Sequence, residues 1–177
     1  MRFNLTPRHL RQWLPCLVVC LTVTGHAATN TGNLTVSATI ESACSVSASP
    51  MAFGVVLPGV TKDTEAIVSA VCTAGTTYTL DLGDGQNHTT TGGTGIQYRR
   101  QMASEANRLP YVVYQEPARA TEIAATSSLA ANNNLLTSTV GNGLAQDKPI
   151  YGRIVGAETV AQPAGVYVDT VVITIAF

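Results

Sequence analysis

Few side chains in this sequence could carry chemistry, and their types limit it sharply. Beyond the first 27 residues there is one histidine, His88, in a Thr/Gly-rich stretch, and two cysteines, Cys44 and Cys72. A zinc site of the His/Cys kind needs about four such ligands. A serine hydrolase would have to recruit His88, and neither a Gly-x-Ser-x-Gly elbow nor a phosphate-cradling Gly-rich loop is present. Asp81, Asp84 and Asn87 offer oxygen ligands, but their spacing is not that of an EF-hand loop, and Asp84-Gly85 is ordinary hairpin chemistry. The eleven acidic residues single out no carboxylate pair for glycoside hydrolysis. The sequence therefore predicts no catalytic residue, no metal site and no cofactor. The remaining chemistry is that of Cys44 and Cys72.

Whether two cysteines pair depends on the compartment. Arg2, Arg8 and Arg11 form a basic start, Trp13 to Val23 a short apolar core, and Gly25-His26-Ala27 a small-residue cleavage site. Residues 1–27 are thus expected to be a secretory signal, cut after Ala27 with Ala28 as the alternative. The apolar run falls short of the roughly 20 residues a membrane span needs. Cys20 raises a competing lipoprotein reading, but Val19 stands where a small residue is required. Cys16 and Cys20 leave with the signal, so an exported chain retains Cys44 and Cys72, expected as one disulfide. Closing a loop of about thirty residues stabilises by roughly 2–4 kcal/mol.

Without the signal, seven basic residues face eleven acidic ones, a net charge of −4. That balance gives no electrostatic footprint for nucleic acid or an anionic membrane. About 150 remaining residues form one domain. Sparse charge, few aromatics and abundant Thr, Ala, Gly, Val and Asn suit an all-β exported domain.

The elements that position these residues read as short strands. After a polar leader, Leu34, Val36, Ala38 and Ile40 alternate with Thr35, Ser37 and Thr39 as an amphipathic strand. Strand-length runs follow at Cys44–Val46, Met51–Leu57, Ala66–Cys72, Thr76–Leu82, Arg99–Met102, Leu109–Tyr114 and Pro149–Val155, with Gly, Pro or Asp at many breaks. Pro110 predicts an edge position or a strand start. Arg99 and Arg100 have Glu105 and Glu116 as candidate partners. The polar region 117–147 fits short strands, a long loop or a brief helix at Thr121–Ala125. The last run, Gly165 to Phe177, places Tyr167, Val171, Ile173, Ile175 and Phe177 on one face, to be buried, with smaller or more polar residues on the other. Asp169 breaks that apolar face. Together the strands and one disulfide predict an all-β, Ig-like β-sandwich.

Several of these blocks, in this order, carry a family resemblance: Cys44-Ser45-Val46, Phe53-Gly54, Val71-Cys72-Thr73-Ala74-Gly75, Arg100-Gln101-Met102, Tyr111-Val112-Val113-Tyr114, Pro149 to Ile154, and Gly165 to Val171 with its run to Phe177. The chain resembles the spore coat protein U domain family, which includes subunits of archaic chaperone–usher pili such as the Csu pilus. The resemblance spans almost the whole mature chain. A tryptophan common after the Tyr-rich strand is missing, since Trp13 lies in the signal.

The resemblance implies an incomplete sandwich at 42–177, held by a periplasmic chaperone, passed to an outer-membrane usher and completed by the N-terminal extension of the next subunit. Residues 28–41 would be that extension, with Leu34, Val36, Ala38 and Ile40 as donor side chains. Tyr167, Val171, Ile173, Ile175 and Phe177 would be the chaperone and groove contacts, with Asp169 at the groove entrance, paired with a backbone amide or with Arg153. Head-to-tail transfer of a strand does not close and so builds a filament of like subunits. The expected function is a non-enzymatic subunit of an exported surface fibre or coat supporting adhesion or biofilm formation, with no membrane insertion. The rival readings are a monomeric adhesin or carbohydrate-binding module, and a coat protein that folds alone.

Overall fold

A computed structural model describes residues 25–91, 97–123 and 134–177. The greater part of the expected signal, residues 1–24, lies outside the described residues. The chain divides into two units, Met1–Ala38 and Thr39–Phe177. In the first, residues 25–38 form no strand, and Leu34 and Val36 are 86% and 83% exposed.

The second unit is built of β1 (Cys44–Ala48), β2 (Lys62–Cys72), β3 (Thr77–Leu82), β4 (Thr89–Thr91), β5 (Gln97–Arg99), β6 (Gln101–Ser104), β7 (Asn107–Pro110), β8 (Val112–Tyr114), β9 (Asn134–Val140), β10 (Ala145–Ile154) and β11 (Ile173–Ala176). A short 3-10 turn at Gly156–Thr159 is its helical element among the described residues. One antiparallel sheet has the order β1-β2-β10-β8 and a second the order β11-β3-β9, while β4-β5 and β6-β7 are separate hairpins. The all-β expectation holds.

Alternation explains the core. Ala66, Val68, Ala70 and Cys72 of β2 are buried while Ile67 and Val71 face out, and on β3 Tyr78, Leu80 and Leu82 are buried. On β10 the inward positions are Ile150, Gly152 and Ile154. A Cβ on Gly152 would press on Met51 Sδ and the Phe53 ring, so glycine lets those two side chains lie over the strand. Burying side chains of Val, Leu or Ile size stabilises by roughly 1.5–3 kcal/mol each.

Several expectations are corrected here. Met51–Leu57 forms no strand: Phe53 turns into the core, Gly54 takes φ +66°, and Thr64 Oγ1 donates to the Ala52 carbonyl. Leu109–Tyr114 is two strands, because the chain leaves the β6-β7 hairpin at Pro110 and joins β10 from Val112. Tyr111, between them, donates its backbone N–H to the Arg100 carbonyl instead. The polar region contains β9 and the first residues of β10. At Thr121–Ile123 a Tyr114–Glu122 bridge replaces the helix considered there, and Ile123 is fully buried; residues 124–133 lie outside the described residues.

Candidate functional site

Cys44 and Cys72 form the expected disulfide, joining the first residue of β1 to the last of β2, which are also ladder partners. The residues just before β1 are held at the same place. Thr73 donates its N–H to the Ala43 carbonyl, and its Oγ1 bonds the Glu41 carbonyl and the Ala43 N–H. Ile40, one residue earlier, is 87% exposed and in no strand. An extended segment without a neighbouring strand has nothing to satisfy its backbone groups except water.

β1 and β11 end the two sheets on one side and lie close to one another, and an open groove is lined by the chain segments next to them. Each is paired along one edge, β1 to β2 and β11 to β3. Between residues 48–54, the end of β1 and the loop after it, and the Tyr167–Ile173 segment lies a lobe of about 550 Å³, floored by Ala66, Leu82, Val113 and Ile150. A second lobe of about 520 Å³ lies between the 54–58 loop and residues 162–167. Gly54, Met102 and Tyr167 line both lobes, so the two are adjacent. Among the described residues, Asp169 is the one charged residue in this lining.

The terminal segment supplies one wall. Tyr167, Val171, Ile173 and Ile175 all pack against the core yet stay half-buried, while Val166, Val168 and Val172 are exposed. The alternation read from the sequence is therefore present, with an apolar face that is covered only in part. Phe177 departs from it. Pairing ends at Ala176 with Thr79, and Phe177 beyond it is 61% exposed rather than buried. The continuous strand expected from Gly165 is also interrupted. Val168 forms an isolated bridge with Ala103, and only Ile173–Ala176 joins β3.

Asp169, expected at a groove entrance, is in the groove lining, but its partners are only partly those expected. Its Oδ2 accepts the Tyr111 hydroxyl at 2.7 Å, and its Oδ1 accepts the Asn87 backbone N–H at 3.2 Å and Nδ2 at 3.1 Å. Arg153 is elsewhere, donating two bonds to Asp63 at 2.7 and 2.8 Å. Burial, and secondarily the bond to Asp169, hold the Tyr111 phenol well above its ordinary pKa, so it remains an O–H donor.

Sequence reasoning missed Arg100, which is 2% exposed. Its guanidinium donates to the carbonyls of Gly83 at 2.9 Å and Leu82 at 3.1 Å, and to that of Ile123. Burial lowers its pKa, while Tyr111, Asp84, Glu122 and Asp169 pull the other way. Instead of the pairings expected from the sequence, Arg99 bonds Glu158 at 2.9 Å, and Glu116 accepts the Ala120 and Thr121 N–H groups. A guanidinium bound to carbonyls leaves no charge pattern in the sequence. His88 sits on the exposed turn with Nδ1 2.7 Å from the Gly85 carbonyl oxygen. Among the described residues no three His, Cys, Asp or Glu side chains gather as a metal site requires, and no helix is long and apolar enough to cross a membrane.

Two antiparallel sheets around one core, with an open apolar groove beside their end strands, define a β-sandwich domain open along one side. The profile of the Spore Coat Protein U domain matches residues 30–174, and the chain belongs to that family. Its fold is similar to one in the solved CsuC–CsuE chaperone–tip adhesion subunit pre-assembly complex, from the archaic chaperone–usher Csu pili of Acinetobacter baumannii. The likeness has a TM-score of 0.50 at 21% identity and covers 78% of this chain and 40% of that one. A comparison with curated proteins gave no match.

Proposed function

We propose that this protein is a non-enzymatic structural subunit of a chaperone–usher surface fibre. It is exported through the periplasm and polymerised head to tail by donor-strand exchange, in support of adhesion or biofilm formation. The observation that carries the reading is the open apolar groove between residues 48–54 and the Tyr167–Ile173 segment. A sandwich side of this kind is an apolar surface and an open strand edge at once, a hazard in a free monomer and an acceptor for an added strand.

The donor is the 28–41 segment of a neighbouring subunit, with Leu34, Val36, Ala38 and Ile40 entering the groove against Tyr167, Val171, Ile173, Ile175 and Phe177. Their period of two matches the half-buried period of two on the terminal segment. A periplasmic chaperone covers the same groove before assembly, and an outer-membrane usher receives the subunit. Family membership and the likeness to the Csu complex support both partners.

The test compares the protein with and without residues 28–41, adding a peptide of those residues to the shortened form. A large rise in Tm with the peptide, and ladders formed only by the longer form, are expected. A shortened protein that is already stable and ignores the peptide overturns the reading.

A further inference from the structure

We propose that Asp169 is a positioning residue that sets the register of the groove's edge, the terminal segment presented to an incoming strand. The backbone alone holds this register weakly. Within five residues the segment changes partner twice: Val168 exchanges bonds with Ala103 at 2.8 and 3.0 Å, Thr170 accepts the Gln86 N–H at 3.0 Å, and Val172 accepts the Gly83 N–H at 2.8 Å before β11 begins.

A one-residue slip would turn every inward side chain out. A two-residue slip keeps the faces and merely exchanges Val171, Ile173 and Ile175 among similar apolar sites. Asp169 removes that degeneracy. In the observed register its carboxylate meets three donors from Tyr111 and Asn87, and Asn87 Nδ2 also reaches the Val168 carbonyl at 3.3 Å. After a two-residue slip it would face apolar groups while its donors lost their acceptor, the penalty by which one polar residue fixes register in an otherwise uniform interface.

Part of the cradle is held by contacts other than those of Asp169. Tyr111 is buried and packs edge-on to Phe53, with ring centroids 6.2 Å apart. Gly85 has φ +85°, and a Cβ there would overlap the Asp169 carboxylate. Arg100 fixes the Leu82 and Gly83 carbonyls at the start of the same turn.

The importance of this pin for assembly rests on the strand-acceptor reading; the pin itself is tested separately. Hydrogen exchange is measured on the intact protein as wild type, Asp169→Ala, Asp169→Asn and Tyr111→Phe. In Asp169→Ala the Gly83, Gln86, Ala103 and Val168 amides should exchange about tenfold faster, the effect of losing roughly one hydrogen bond to a charged group. The Val68, Ala70 and Leu80 amides should stay unchanged. Tyr111→Phe, which keeps the ring, should give a smaller local increase and serves alone if Asp169→Ala fails to fold. Asp169→Asn should recover part of the protection.

Unchanged exchange at the four amides, or acceleration equally large in β2 and β3, overturns the proposal. If wild-type protein forms no ladders while the local effect is present, the acceptor reading falls and the pin stands.

Discussion

The centre of the sandwich and the margin of its groove follow the same alternation but differ in what covers them. Val68, Ala70 and Leu80 are fully buried, on strands that have a neighbour along both edges. Tyr167, Val171, Ile173 and Ile175 point the same way yet stay half-buried, at a sheet end with no strand beyond. The difference teaches that a period of two fixes which face is apolar, while the strands alongside decide how far it is buried. An apolar face left half-covered is where a partner adds most.

Substitutions that separate the two regions sharpen this contrast. Leu80→Ala in the centre should cost about 2–5 kcal/mol in chemical unfolding, because it opens a cavity in a closed layer. Ile173→Ala at the margin should cost clearly less in the free protein, yet weaken binding of a 28–41 peptide measured by calorimetry. Equal losses of stability at both sites would break the comparison. Replacing Cys44 and Cys72 together by Ser should lower stability by roughly 2–4 kcal/mol, read from unfolding with and without reductant.

Smaller effects are expected further out. Gly85→Ala places a side chain at positive φ against Asp169 and should cost about 1–3 kcal/mol, checked by thermal unfolding. Asp63 lies on the outer face of the closed sheet, where the Arg153 bond, opposed by burial and helped by the Arg119 charge, lowers its pKa. A carboxyl with a lowered folded pKa contributes stability that is full above its unfolded pKa and is lost as pH falls through the folded one. Asp63→Asn should therefore destabilise by at most about 1 kcal/mol near neutral pH, the site being exposed, and by nothing once acid has protonated the wild type. Parallel pH titrations of the two unfolding curves measure this.

The parts of the fold legible in the sequence were those where pattern and burial coincide. β2, β3 and the second half of β10 alternate cleanly, and the terminal face from Tyr167 to Ile175 keeps its alternation but is half-buried and only partly strand. Met51–Leu57 misled because an apolar run need not be a strand: Phe53 is an anchor set down by a turn at Gly54. Leu109–Tyr114 misled because a change of sheet at Tyr111 leaves no break in hydrophobicity. Asp169 was visible as an exception on an apolar face, but its partners were not, since Tyr111 and Asn87 are 58 and 82 positions away. Arg100 was hidden for the same reason, its acceptors being backbone carbonyls.

The disulfide has a mechanical meaning as well as a thermodynamic one. A pull applied at Ala43 would arrive at the first residue of β1, where an antiparallel pair is easily peeled one hydrogen bond at a time. Cys44 and Cys72 are cross-linked at that end, so tension passes through a covalent link into the last residue of β2, a strand flanked by β1 and β10. In a fibre whose subunits hang on one another by the segment before Cys44, load would bypass the weakest hydrogen bonds and be borne by the middle of the sheet.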